Sequence, residues 1–125
     1  MYKLFFDGGK KDNYISYGIV IYHENKVIYK GNGQIHNKKF SCNAAEYISL
    51  IIGLISAKAL GIKKIEIYGD SLIVINQLTK KYATKSEIMK ELGDICLDIL
   101  TYFDEYSLTW IPRKMNSEAH RETKI

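Results

Sequence analysis

The sequence predicts an α/β fold on a mixed sheet, with elements in the order βββαβααβα. Three observations carry this. The first forty residues hold three β-rich runs divided by turn residues. An apolar run of helical length follows, with a capping serine before it and a glycine after it. The second half then alternates short strands with segments of helical period.

Residues 2–7 read as the first strand, ending at Asp7-Gly8-Gly9. Lys10–Tyr14 is a polar turn. Ile15–His23 and Val27–Ile35 are the next two strands, parted by the hairpin signal Glu24-Asn25-Lys26. His23 and His36 lie in or beside these strands and read as surface residues. Ser41 is the N-cap of a helix reaching Leu60, and Gly61 takes the C′ position. That helix is apolar on most faces, so it is expected to lie buried across the sheet. Lys64–Tyr68 alternates as a fourth strand and stops at Gly69-Asp70-Ser71. Leu72–Leu78 reads as a short helix and Thr79–Ser86 as a polar, basic loop. Glu87–Phe103 is amphipathic, with Ile88, Leu92, Ile95, Ile99 and Phe103 as its inner stripe. Tyr106–Ile111 is the last strand, and Asn116 or Ser117 caps a short terminal helix.

The 125 residues are expected to form a single domain over 1–125, long enough to bury a core. At 46% hydrophobic and 26% charged residues, intrinsic disorder is excluded. The longest apolar stretch, Ala44–Ala57, is broken by Glu46, Ser49, Gly53 and Ser56, so no transmembrane helix is expected. The N-terminal apolar run is too short for a signal peptide. Cys42 and Cys96 form neither a disulfide framework nor a metal spacing. The plain expectation is a reduced, intracellular setting, cytoplasmic or nuclear, with no membrane and no disulfide partner.

Charge is uneven. Residues 1–40 carry seven lysines against three acids, and residues 106–125 four basic residues against two acids. Residues 41–105 carry seven lysines against nine acids. An acidic middle between basic flanks fits a polyanion binder that also needs carboxylates.

The carboxylates narrow the chemistry. Asp7 follows the first strand and Asp70 the fourth, where α/β sheets place ligand sites. Glu46 sits early in the apolar helix, where an acid is costly unless it is paired or bound to a metal. Each has a structural reading alone: Asp7 as a turn residue, Asp70 as an N-cap, Glu46 as a dipole partner. Together, if the first and fourth strands are parallel neighbours, the three would repel one another without a cation. Oxygen ligands of this kind suit Mg²⁺ or Mn²⁺.

Four segments, in order, carry a resemblance: Phe6-Asp7-Gly8-Gly9; Asn43-Ala44-Ala45-Glu46-Tyr47; Tyr68-Gly69-Asp70-Ser71 with Gln77; and Trp110-Ile111-Pro112-Arg113 with Asn116 and Ala119. On them the chain resembles type 1 ribonuclease H, in the compact branch without a basic protrusion, over residues 2–121. The resemblance implies a ribonuclease H-like fold: a five-stranded mixed sheet of three antiparallel strands plus two parallel ones, flanked by helices. It implies an endonuclease that cuts the RNA strand of RNA–DNA hybrids with two divalent ions. Asp7 would bridge both ions, and Glu46 and Asp70 would hold the second. Asn13, Cys42, Asn43, Ser71, Gln77 and the backbone at Gly8 and Gly9 would meet the hybrid. Lys80, Lys81, Tyr82 and Lys85 would follow DNA phosphates, with Arg113 replacing a longer loop. A monomer is expected.

One position departs from the pattern. The family places a fourth acid on the terminal helix, in an Asn-x-x-Ala-Asp pattern. Here Asn116-Ser117-Glu118-Ala119-His120 puts His120 there. Three readings stand open. His120 is an imidazole ligand that favours Mn²⁺ over Mg²⁺; or it lies near the site without ligating; or the chain is a catalytically impaired module that only binds nucleic acid. Glu118 and Glu122 fall on other faces of the helix. A nuclease of the same fold acting on another nucleic acid is a further alternative.

Overall fold

The computed structural model describes residues 1–80 and 84–123. Its strands are β1 (Tyr2–Lys11), β2 (Tyr14–His23), β3 (Lys26–His36), β4 (Lys64–Gly69) and β5 (Glu105–Trp110). Its helices are α1 (Cys42–Ala59), α2 (Leu72–Lys80), α3 (Glu87–Leu100) and α4 (Ser117–Glu122), with a 3₁₀ turn over Arg113–Asn116. The sheet runs β3-β2-β1-β4-β5. The first three strands form an antiparallel meander, while β4 and β5 run parallel to β1. This is the expected five-stranded mixed sheet. Among the described residues no helix is long and apolar enough to cross a membrane.

The two hairpins are tight. Glu24 and Asn25 both take positive φ, 52° and 66°, the backbone that matches strand twist in a two-residue turn. Asp12, with φ 56°, begins the other turn. α1 starts where expected: Ser41 Oγ accepts the Ala44 N–H. It ends in a Schellman motif, with Gly61 N–H donated to Lys58 O and Ile62 N–H to Ala57 O.

The core lies between α1 and one sheet face. Leu4, Phe6, Ile19 and Ile21 meet Tyr47, Leu50, Leu54 and Ala57. α4 covers the other face, because side chains alternate along a strand. A Cβ on Gly8 would strike the α1 backbone at Ala45, whereas one on Gly18, opposite Asp7, would strike α4 at Ala119.

Four boundaries or faces differ from expectation. β1 runs four residues past Asp7, because β2 pairs with it as far as Lys11 while the ladder with β4 stops at Phe6. α2 continues through Thr79 and Lys80, which therefore leave the loop. α3 stops at Leu100 and buries Met89, Leu92, Gly93, Cys96 and Leu100. Ile88 and Ile95 of the expected stripe are 36% and 45% exposed. Two apolar stripes overlap on this helix, and packing against α1 selects the one offset by a residue. Asn116 makes no side-chain cap for α4; its amide is used elsewhere.

Candidate active site

Asp7, Glu46 and Asp70 meet where the β1–β4 ladder ends. They offer ligand atoms that lie within 4.8 Å of one another. Asp7 is 1% exposed and Glu46 8%. Each is set by its own element. β1 carries Asp7 beyond its last β4 partner. Gly8, lacking a side chain, lets α1 approach so closely that its N–H is donated to Glu46 Oε1. Asp70 sits in the β4–α2 turn, and Ser71, not Asp70, caps α2 through its hydroxyl, which accepts the Val74 N–H at 3.3 Å. Trp110 fixes that turn by donating Nε1–H to the Asp70 carbonyl at 3.1 Å.

The last segment closes the site from the other side. Asn116 Nδ2 donates to Phe6 O at 2.9 Å and lies 3.4 Å from Asp70 Oδ2. Arg113 Nε is 3.9 Å from the same Asp70 oxygen. His120 Nδ1 is 2.8 Å from Asp7 Oδ2. Glu118 and Glu122 turn away, each to Lys30 Nζ at 3.7 Å.

Two of the three acids are held above the ordinary carboxylate range. Burial, followed by the charges of Asp7 and Asp70, pushes the Glu46 carboxyl up to about 10, against the pull of the Gly8 N–H. Burial also raises Asp7, opposed by the His120 hydrogen bond, while Asp70 raises it further. Asp7 Oδ1 is buried without a partner among the described residues. An orphaned anionic oxygen beside two further carboxylates within 4.8 Å fits a hard divalent cation.

A cleft of about 510 Å³ opens over these acids and is lined by Gly8, Gly9, Cys42, Asn43, Ser71 and Arg113. Leu72 and Ile73 form an apolar wall there. Other expected contacts are elsewhere. Asn13 is at the exposed β1–β2 tip, its carbonyl accepting the Asn37 N–H at 2.7 Å. Gln77 joins α2 to α3, donating to Met89 O at 3.2 Å, and does not line the cleft. Lys80 ends α2, and Lys85 is exposed before α3. Lys81 and Tyr82 lie outside the described residues. Sequence reasoning gave no site role to Asn116 or Trp110, although both stand in the quoted motifs.

This strand order, with three buried carboxylates at the parallel ladder's end, defines a ribonuclease H-like protein. The chain belongs to the reverse transcriptase-like family, whose model matches residues 5–124. It is 38% identical to ribonuclease HI of Halobacterium salinarum over 77 residues, which are 62% of this chain and 39% of that protein. The chain thus spans about two-fifths of that curated relative's length. The crystal structure of RNase H1 from the same archaeon superposes with a TM-score of 0.91 at 30% identity, covering 97% of this chain and 92% of that one. LC11-RNase H1, solved in complex with an RNA/DNA hybrid, shares the fold with a TM-score of 0.88 at 24% identity, covering 98% and 93%.

Proposed function

We propose that the chain is a divalent-metal-dependent endonuclease that hydrolyses the RNA strand of RNA–DNA hybrids. The observation that carries this reading is the Asp7–Glu46–Asp70 cluster, with ligand atoms within 4.8 Å of one another and one buried Asp7 oxygen left without a partner among the described residues. Kinship with the halophilic ribonuclease H supports the substrate class.

Divalent ions held here would polarise the scissile phosphate and activate a water for in-line attack. Asp7, Glu46 and Asp70 would hold them, two ions in the arrangement the family resemblance implies. His120 approaches Asp7 from the α4 side and would join them as a ligand that favours Mn²⁺ over Mg²⁺. Asn43, Cys42 and the Gly8–Gly9 backbone stand at the cleft mouth to meet the 2′-hydroxyls that mark the RNA strand. Arg113, beside Asp70, is placed for a phosphate.

A second reading rests on His120 Nδ1, which already bonds the Asp7 carboxylate. An imidazole engaged in this way would leave a module that binds hybrids without cutting them. One assay separates the two. A labelled hybrid is offered with Mg²⁺ or Mn²⁺, beside duplex RNA, single-stranded RNA and DNA. The nuclease reading expects hybrid cleavage that Asp7→Asn abolishes while hybrid binding persists. Binding without cleavage in either metal would favour the module, and preference for another polymer would overturn the substrate.

A further inference from the structure

On β1, Asp7, Gly9 and Lys11 share the sheet face that α4 partly covers, because side chains alternate. That face continues beyond α4 into a groove of about 650 Å³ lined by Gly9, Lys10, Lys11, Tyr14, Ser16 and Gln34, among others. Gly9 and Lys10 line the catalytic cleft as well, so the two depressions meet over a residue with no side chain.

The groove's charge is one-sided. The β3–α1 loop is tied to the hairpin through Asn37 N–H to Asn13 O at 2.7 Å. It brings Lys38 beside Lys10, whose Nζ lies 3.4 Å from Lys38 O. Neither of these nor Lys11 pairs with an acid among the described residues. The opposing charge at the groove is Asp12, at the exposed turn. Lys10 and Lys11 leave positive charge unpaired at the end of β1, a cost that a polyanion removes. Tyr14 is half exposed at the groove's end, edge-on to His36 at 5.1 Å. A basic track ending in an aromatic ring matches the chemistry of a nucleic-acid strand.

We infer that this groove seats the phosphates of the same strand whose scissile phosphate lies at Asp7, one to a few nucleotides along. At roughly 3.3 Å per residue, Gly9 is about 7 Å and Lys11 about 13 Å from Asp7 along β1. Lys10 and Lys11 supply the charge and Ser16 a hydroxyl donor. The inference rests on the nuclease reading for the strand's identity but not for its own test.

The test is binding of an RNA–DNA hybrid in EDTA, followed by fluorescence anisotropy at several salt concentrations. Lys10→Ala/Lys11→Ala is expected to weaken binding about tenfold at low salt. It should flatten the log K against log salt slope by about 1 to 2, since each phosphate contact releases a counterion. In cleavage, KM rises. Lys63→Ala/Lys64→Ala, on the far side of the domain beside Tyr102 and Glu105, serves as the control with an unchanged slope. A double variant at 10 and 11 with wild-type affinity and slope overturns the groove. A wild-type chain that binds but never cuts overturns the nuclease reading and leaves the groove standing.

Discussion

His120 Nδ1 and Asp7 Oδ2 lie 2.8 Å apart across 113 residues of sequence. Where the family pattern leads one to expect a fourth acid, the chain sets a hydrogen-bonding ring. The ring offsets part of the burial penalty on Asp7 before any metal arrives. His120→Asp is therefore expected to raise Mg²⁺-dependent cleavage about tenfold, or ~1.4 kcal/mol of barrier, and to narrow the Mn²⁺ preference. The same change lowers the melting temperature in EDTA, because two carboxylates then face each other. Initial rates in both metals, with melting curves alongside, check this. A variant no better in Mg²⁺, with its preference intact, refutes the ligand role.

Metal-free stability should fall as pH rises. In the unfolded chain Glu46 loses its proton near the ordinary 4.5, whereas in the fold it holds it up to about 10. Between those values the unfolded state binds fewer protons, so stability declines across that window. Below 4.5 both states are protonated and the contribution is fully present. Melting temperature in EDTA is expected to drop from pH 5 to pH 9, with saturating Mn²⁺ levelling the trend by replacing the proton. Glu46→Gln should remove the decline. A metal-free melting temperature that is flat over this range in wild type would count against the buried-proton account.

Gly8 and Gly61 make a matched pair of substitutions. Alanine at position 8 drives its Cβ into the Ala45 carbonyl and the Glu46 amide, pushing α1 from β1. Overpacking of this kind costs about 1–3 kcal/mol, and here it also displaces Glu46, so cleavage should be lost. Alanine at position 61 meets open space but must hold φ near 79°. It is expected to cost about 1 kcal/mol, with kcat unchanged. Urea melts and kcat for both variants check the contrast.

Trp110→Phe keeps an aromatic ring and removes the Nε1–H donated to the Asp70 carbonyl. The lost bond is worth about 0.5–1.5 kcal/mol. Freed of this tie, the β4–α2 turn holds Asp70 less firmly, so kcat is expected to fall about three- to tenfold, for a barrier change of ~1 kcal/mol, with hybrid affinity kept. The chain's one tryptophan also gives a readout: its fluorescence should respond to Mn²⁺ in wild type. An unaltered kcat in the variant would sink the positioning role.

The order of elements was legible because period and caps are local: Ser41 and Gly61 mark both ends of α1. The three acids were legible because each stands beside a glycine, a helix start or a turn that constrains it. What failed were properties set by partners. The end of β1 depends on how far β2 and β4 each extend. The buried face of α3 depends on α1, which packs on an overlapping stripe that contains Met89, Gly93 and Cys96 rather than the more apolar one. Gln77 shares its segment with Asp70 but turns to Met89. Asn116 sits at a capping position but reaches Phe6, 110 residues away; no local signal encodes such a contact.

The docking of α4 on Gly18 also has a kinetic consequence. Six residues are too few to hold a helix in isolation, so α4 exists only once the sheet is there to receive it. Asp7 leaves the ribosome well before its imidazole partner, which follows 113 positions later. At roughly 5–20 residues per second that interval is about 6–23 seconds. Once Asp70 is made, the nascent chain carries three acids without Asn116 or His120 to order them. Completion of the site thus waits on α4, and reversible detachment of α4 would return the folded protein to that earlier condition.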